Sequence, residues 1–498
     1  MSSRESFMNR LLTTAILAVC AIMFFVTGAT AAYAQSNPDQ GAPPAATGPD
    51  TTIIENPPLS GLDEPSFEPG YGARSYLIPK VQVSEAVDTN PAGNLGSKTV
   101  IKNVTRGLGS LTLQKLWKIH PLDVDYIGGA AHYYGKTGNT YQIHSLAATQ
   151  RLLWRTGQLA FRDSFSYLPQ GNFGFSSFGG AGAFGGGGGL GGLGGGVGTG
   201  GGIAGGGGGG VFPNGQFGSL GNQPRVTNSS IADVTQAFSP RSSVVLSGGY
   251  GWTTFLNAPP GYINSQQTTG QAGYNYQLSR HDQLALTYAF QEFRFPRAGS
   301  GSFNVNVWQV LYGHRISGKL DLNLGGGPQW IHSYGYSQVL PGVFTPNNRS
   351  FVSGAGRASL NYRMSDRTNM ILNYSHYTTP GSGFFAGANT DMVRLALHHS
   401  LSRHWSLMTD TGYSRNSRVL SNPTTLVHNA STYTSWYAGS ALRRQLGRHL
   451  GAFASYQYDS IDFSSGLCTT SNPSCSRVSA RHLGLIGLDW TPRPIRLD

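Results

Sequence analysis

The sequence of 498 residues is poor in charge. Asp, Glu, Lys and Arg make up 12% of it, whereas an ordinary soluble globular domain carries about 25%. Aliphatic residues do not fill the gap, because all hydrophobic residues together reach 39% and the mean hydropathy is -0.22. These values exclude a bundle of transmembrane helices. Aromatic residues nevertheless reach 11%, too many for a disordered chain. The composition therefore indicates sheet with one polar and one apolar face.

Cysteine is also scarce, with three residues in the chain. Cys20 falls within residues 1–34, which have the features of a secretory signal: basic residues, an apolar run of about 16 residues and a small-residue cleavage site ending at Ala34. A membrane-anchoring helix is the alternative, but the run is shorter than the roughly 20 residues that span a bilayer. Cys468 and Cys475 then remain, and in an exported protein they are predicted to form a disulfide. A metal site would need further ligands nearby, so we expect no metal and no cofactor.

Residues 35–79 are rich in Pro, Gly, Ala and Asp and show neither helical nor strand periodicity. We interpret them as a flexible periplasmic leader. The stretch PLSGLDEPSFEPG within it is open to docking elsewhere, at a place that the sequence does not specify.

Period-two alternation of apolar and polar residues recurs from Val81 onward, and no segment carries a sustained helical stripe. In 283–293, for example, Leu284, Leu286 and Tyr288 fall on one face, and the residues between them are smaller or polar. The segments 320–324 and 352–363 repeat the pattern.

The connections between these segments fall into two length classes. The short ones lie at 120–123, 155–158, 239–241, 279–282, 317–319, 364–367, 402–405 and 447–449. The long ones lie at 88–103, 136–140, 169–228, 256–264, 296–302, 334–350, 379–388, 417–430 and 462–479. Alternating short turns and long loops are typical of an all-β transmembrane antiparallel up-and-down β-barrel, with short periplasmic turns and long extracellular loops. The eight turns and nine loops predict about 18 strands over residues 80–498, with both termini in the periplasm. A soluble sandwich or propeller would not sort its connections by length.

Aromatic residues near the predicted strand ends are candidates for the girdles that flank the apolar band of such a barrel. They are Trp117, Tyr167, Trp252, Trp308, Trp330, Trp405, Trp436 and Trp490.

Glycine is abundant, with 70 residues in the chain. Within strands, as at 325–327, glycines are expected to permit bends and close approach of neighbouring chains. About 27 of them lie in the low-complexity segment 171–218, inside the third predicted extracellular loop. This glycine-rich insert is interpreted either as a constriction folded into the lumen or as a mobile surface tether.

A second group of polar residues is predicted to line the lumen, because alternation places them on the polar face. Its members are Arg162, Asp321, Arg357, Arg363, Arg394 and His398. A basic lumen favours anions. The arginines could instead pair with Asp321, Asp163 or Asp391 as ion pairs within the wall.

The formal net charge of +12 raises nucleic acid as a partner, but an export signal and the lack of a basic patch with stacked aromatic residues argue against it. Catalysis is not expected either. His398 and His399 are consecutive in a predicted strand and so point to opposite faces, and the chain has neither a G-x-S-x-G nor an H-E-x-x-H motif.

The opening segment VQVSEAVDTN resembles the first strand of outer-membrane β-barrel proteins of a surface-barrel type found in Gram-negative bacteria. The resemblance implies contact with outer-membrane lipid and insertion by the barrel assembly machinery. Such barrels commonly end in an aromatic residue, whereas this chain ends in LDWTPRPIRLD. Trp490 is therefore expected to be the last barrel aromatic, and the final eight residues a tail.

We expect the barrel to be a passive, porin-like channel for small hydrophilic solutes, with a preference for anions. The alternative is a surface structural barrel, or one associated with secretion or polysaccharide export, that acts through its long extracellular loops.

Overall fold

The computed structural model describes residues 59–60, 75–93, 95–96, 100–117, 119–135, 138–168, 224–256, 262–296, 301–340, 343–381, 383, 385–420, 430–464, 467 and 476–497. Residues 1–34, the glycine-rich insert 171–218, Cys468 and Cys475 lie outside this part of the chain. The signal segment and the disulfide therefore stay predictions.

Within the described residues the chain forms eighteen long strands and a short nineteenth one. Their bounds are β1 Tyr76–Asp88, β2 Lys102–Lys115, β3 Leu122–Tyr133, β4 Asn139–Trp154, β5 Gly157–Leu168, β6 Arg225–Ser239, β7 Ser242–Phe255, β8 Ser265–Gln277, β9 Asp282–Arg294, β10 Ser302–Ser317, β11 Leu320–Leu340, β12 Val343–Ser365, β13 Thr368–Thr379, β14 Ala386–Ser400, β15 Trp405–Leu420, β16 Thr432–Gln445, β17 Leu450–Phe463, β18 Val478–Trp490 and β19 Ile495–Arg496. In the same part of the chain, no helix is both long and apolar enough to cross a membrane.

The sheet closes on itself. Each long strand pairs antiparallel with the next one, and β1 also pairs with β18, with Val83 opposite Leu488. Closure leaves no unpaired strand edge, which is the condition for crossing a bilayer with strands. The predicted all-β antiparallel barrel of 18 strands is confirmed.

The eight connections at one end of the barrel are two to six residues long, and every connection longer than six residues lies at the other end. We call the end with the eight short connections the turn end, and the end with the long connections the loop end. β1 begins and β18 finishes at the turn end. The glycine-rich insert falls in the connection between β5 and β6, which is the third one at the loop end.

One predicted long loop is wrong. Residues 334–350 are mostly strand, because β11 continues to Leu340 and β12 starts at Val343, with Tyr334 opposite Asn348. Hydrogen bonds between the two strands satisfy their backbone groups. The extended ends do not alternate between apolar and polar residues, so the sequence pattern did not predict them as strand.

The barrel starts earlier than predicted, and part of the expected C-terminal tail joins the sheet. β1 begins at Tyr76 rather than near residue 80, and Ile495 of β19 lies opposite Leu77. β18 stops at Trp490, opposite Val81, so the first residues of β1 would have an open edge that β19 covers. The final eight residues are therefore not a free tail.

Alternation along each strand separates two faces of the wall. On β1 the outward Val81 and Val83 are exposed, whereas the inward Lys80, Gln82 and Ser84 are buried. The same division on β18 leaves the outward Ile486 and Leu488 exposed. The outer surface is thus apolar and the inner face polar, as a barrel in lipid requires.

Gly327 of β11 shows why a strand of this barrel needs glycine. A Cβ atom at this position would overlap the carbonyl oxygen of Trp308 and lie 3.0 Å from the Cα of Gln309 on β10. The neighbouring backbone therefore occupies the space that a side chain would fill, which is the close approach expected for strand glycines.

Candidate functional site: the barrel interior

The inward face of the barrel is lined by polar side chains. The buried ones that carry a charge are Lys80, Asp88, Arg106, Asp125, Arg162, Arg225, Asp233, Asp410, Asp459, Arg481 and Asp489. Buried amides and hydroxyls lie between them, among them Gln82, Thr149, Gln267, Gln271, Asn275, Gln309, Gln329, Ser414, Asn416 and Gln457. Side chains of these types leave the inner face compatible with water and ions.

Ion pairs between strands of the wall hold several of the inward arginines. Arg162 donates from Nε to Oδ1 of Asp233 at 2.9 Å, and both side chains are buried. Arg394 donates from Nη2 to Oδ2 of Asp410 at 2.6 Å. Further pairs join Arg443 and Lys80 to Asp489, and Arg481 to Asp88. Because the carboxylate of each pair is buried, these pairs fix the wall and neutralise much of its charge.

All six residues predicted to line the lumen fall on the inward face by register. Arg162 and Arg394 are paired as described above. Asp321 accepts a hydrogen bond from Nε of Arg315 at 2.9 Å, near the turn end. His398 lies on the inward face near the end of β14. Arg363 lies on the inward face near the end of β12, next to the following turn. Whether they contact permeating solute stays a prediction.

The arginines do not take the carboxylate partners that the sequence suggested. Asp163 lies on the outward face of β5 and accepts a hydrogen bond from Asn228 at 3.2 Å. Asp391 also faces outward and contacts His376, with 2.6 Å between Oδ1 and Nδ1. The actual partners, Asp233 and Asp410, are inward residues of the next strands.

Arg357 differs from the paired arginines. Its Nη1 and Nη2 atoms are buried and have no hydrogen-bond partner among the described residues. In register it lies opposite Gly325 on β11 and Ser375 on β13. A Cβ at Gly325 would come within 3.1 Å of Arg357 Nε, so the glycine makes room for the guanidinium. Arg357 therefore presents an uncompensated positive charge on the inward face.

A segment between β13 and β14 turns into the barrel at the loop end. We call the described residues Pro380, Gly381, Gly383 and 385–387 the inner loop; they are all buried. The carbonyl of Gly383 accepts a hydrogen bond from the Ile263 amide at 3.0 Å. A Cβ at Gly383 would overlap the ring of Phe255 at the end of β7.

The inner loop joins two apolar clusters on the inward face near the loop end. Phe385 packs in a cluster with Tyr433, Tyr437, Ile461 and Phe463. Its neighbour Ala386 belongs to the second cluster, whose members are Ile263, Phe293, Phe295, Phe303, Val305, Ile331 and Leu420. The described residues of the inner loop thus narrow the barrel. The glycine-rich insert, which the sequence suggested as a constriction, lies outside the described residues.

Seven of the eight girdle candidates lie on the outward face. Trp405 and Trp490 are at the turn end, and Tyr167, Trp252 and Trp436 are near the loop end, while Trp308 and Trp330 lie farther from either end. The eighth, Trp117, is in the connection that follows β2 and is 49% exposed. The guanidinium of Arg444 stacks over Trp405 at 5.1 Å, which suits a position where lipid meets water.

Sequence reasoning missed the acidic partners of the lumen arginines and the inner loop. Asp233 was recognisable in principle as an inward residue, because Asp233 and Thr235 alternate with the apolar Ala232 and Val234 in β6. The inner loop carries no comparable signal beyond its Pro380 and Gly381. Its entry into the barrel depends on contacts with residues more than 80 positions away in the chain, such as Phe303.

The described residues contain no group of three or more His, Cys, Asp or Glu side chains that could hold a metal ion. His398 and His399 point to opposite faces, as predicted.

No protein-family model and no curated protein matches the sequence. Solved structures with some overall similarity include the ferric-catecholate import receptor Fiu of E. coli K12, with a TM-score of 0.41, 7% identity, and 85% of this chain and 82% of that chain covered. OccK2 (OpdF) of Pseudomonas aeruginosa gives a TM-score of 0.38 and 9% identity over 83% of this chain and 98% of that chain. The outer membrane protein OpdK of the same organism gives 0.38 and 10% over 84% and 98%. Likeness at this level carries no information on the solute.

Proposed function

We propose that this 18-stranded barrel lies in the outer membrane of a Gram-negative cell and is a passive channel for small hydrophilic solutes, with a preference for anions. The main support is the structure of the wall, which has an apolar outward face and a polar, ion-paired inward face. A structural barrel needs the outward face, but a polar interior is what a water path requires.

The proposed orientation puts the turn end in the periplasm, with lipid against the exposed aliphatic and aromatic residues. Residues 1–34 direct export, and the barrel assembly machinery inserts the chain. The interior is proposed to act by its bore and charge and not as an enzyme, since the described His376 and Asp391 pair on the outward face, away from the water path.

Conductance of the purified barrel in a planar lipid bilayer tests the channel directly. We expect stepwise, ohmic current increments in KCl, and a reversal potential in a salt gradient that shows preference for chloride, because the inward Arg357 adds a positive charge that has no acidic partner among the described residues. Current with cation preference would contradict the anion proposal alone.

The apolar packing around the inner loop favours a second candidate, a structural or secretion-associated barrel with little conductance that acts through its loops. Complete absence of current, also after removal of 178–210 from the glycine-rich insert, would support this candidate and refute the channel.

Arg357→Gln should weaken the preference for anions. This guanidinium has no acidic partner among the described residues, so its loss changes the field in the lumen without freeing a carboxylate; we expect the chloride-to-potassium permeability ratio to fall to about half. The ratio is read from reversal potentials. A matched control is the double variant Arg162→Gln/Asp233→Asn, which removes a compensated pair and should leave the ratio unchanged. Equal effects of the two variants would contradict a role for the unpaired charge.

A further inference from the structure

Two residues of the N-terminal leader lie inside the barrel. Ser60 is fully buried, and both of its backbone polar groups and its hydroxyl are hydrogen-bonded to one strand. Its amide donates to Asn275 Oδ1 at 3.0 Å, Asn275 Nδ2 donates to its Oγ at 2.6 Å, and Gln271 Nε2 donates to its carbonyl at 3.1 Å. Asn275 and Gln271 are inward residues of β8, so the leader is held against the lumen wall.

The wall is shaped for these two residues. Gly273 lies between Gln271 and Asn275 on the same face, and a Cβ there would overlap the side chain of Ser60. On β10 a Cβ at Gly313 would come within 2.7 Å of Leu59 Cδ2. Two glycines thus leave the space that Leu59 and Ser60 fill, and the two amides around Gly273 supply the polar contacts. We call Gln271, Gly273, Asn275 and Gly313 the leader socket.

The leader socket lies near the turn end, on the side of the wall opposite the start of β1. Asn275 is two residues from the turn end of β8, and Gly313 is four residues from the turn end of β10. β10 is nine strands from β1 in either direction around the eighteen, so the socket lies halfway round the wall from Ser75, which precedes β1. Ser75 is itself fixed, because its carbonyl accepts a hydrogen bond from the Leu497 amide at 3.2 Å. The chain is therefore attached to two opposite sides of the barrel at positions only 15 residues apart.

We propose that the leader socket is a binding site for the chain's own Leu59–Ser60 segment, and that the docked segment narrows the water path near the turn end. The site selects a small hydroxyl residue preceded by an aliphatic one: a larger side chain at 60 would collide with the β8 backbone at Gly273, and a polar one at 59 would lose the packing on Gly313. Because ligand and site belong to one chain, docking is intramolecular and needs little intrinsic affinity. The effect on permeation rests on the proposed channel function; the docking does not.

Docking is tested by the accessibility of Ser60. In a Cys468→Ser/Cys475→Ser background, Ser60→Cys should react slowly with a membrane-impermeant maleimide, because the residue is fully buried. Adding Gly273→Ala or Asn275→Leu should raise the labelling rate by about ten-fold or more, since either change removes the fit. Gly270→Ala is the matched control: it lies on β8 but faces outward, its nearest neighbour is 4.0 Å away, and it should leave labelling slow. Heat-modified gel mobility verifies that each variant has folded.

Rapid labelling already in the parent, or equally slow labelling in both socket variants, would overturn the docking site. In bilayers we expect Gly273→Ala and Asn275→Leu to conduct about twofold more than Gly270→Ala, because the segment leaves the bore. Labelling that responds while all variants fail to conduct would refute the channel and leave the socket standing. Labelling that does not respond in barrels that do conduct would refute the socket and leave the channel.

Discussion

Asp88→Ala is expected to lower the free energy of unfolding by about 3–5 kcal/mol. Asp88 is the last residue of β1 and is fully buried; it accepts a hydrogen bond from Nε of Arg481 on β18 at 2.9 Å and one from the Asn90 amide at 3.1 Å. Removal of the carboxylate takes away the ion-pair partner that bonds directly to the buried guanidinium. The side chain of Asn90 also bonds to Ser479 at 3.2 Å, so the pair belongs to the contacts that close the barrel at its loop end.

Guanidinium chloride unfolding in lipid vesicles, followed by tryptophan fluorescence, measures the loss. Glu85→Ala is the control, because Glu85 lies on the outward face of the same strand and accepts an exposed hydrogen bond from Thr105; its loss should cost less than about 1 kcal/mol. The double variant Asp88→Ala/Arg481→Met should recover about 1 kcal/mol or more of the combined single losses. Additive losses, or an Asp88→Ala effect no larger than that of the control, would show that the pair does not stabilise the closure of β1 on β18.

Gly327→Ala is the second change with a large expected effect, a loss of about 1–3 kcal/mol or more. The added methyl would overlap the carbonyl oxygen of Trp308 and lie 2.9 Å from its carbonyl carbon. Both atoms are backbone, so no rotamer change relieves the collision, and β10 and β11 must move apart.

Gly326→Ala is its matched control. Gly326 is the preceding residue and faces outward, where the nearest atom to a Cβ is the carbonyl oxygen of Ala355 at 3.7 Å. We expect it to fold with wild-type yield, whereas Gly327→Ala should show lower refolding yield and a lower melting temperature on heat-modification gels. Equal behaviour of the two variants would mean that the strands tolerate a side chain at the contact.

The strand content was predictable because the bilayer and the water path impose a period of two on every strand, as in 283–293. Closure followed from the same reasoning, since backbone groups in lipid need partners. The inward position of Arg357 was likewise accessible from alternation. These features depend on local pattern and on the solvent at each face.

The pairing of inward side chains on neighbouring strands was not predictable in the same way. Arg162 and Asp233 are 71 positions apart, and the register of β5 against β6 is set across the glycine-rich insert, whose length says nothing about alignment. The leader socket was hidden for a different reason. Gly273 and Gly313 look like ordinary strand glycines until the position of Leu59 and Ser60 is known. The extension of β11 and β12 was missed because their paired ends do not alternate.

The pairing of β1 with β18 also sets a limit on how this chain can fold. Asp88 and Arg481 are 393 positions apart, so the closing contacts join residues far more distant in sequence than those of the other pairs of long strands, each of which joins a strand to the next one in order. Neighbouring hairpins form through short loops, but the ends meet only when the whole sheet exists, and contacts of this separation are slow. Until then the two edge strands of the unclosed sheet are unpaired and can pair with other chains. A chain truncated before Val478 would lack β18, and its edge strands would stay unpaired. We expect such a chain to associate with other chains and not to close into a smaller barrel.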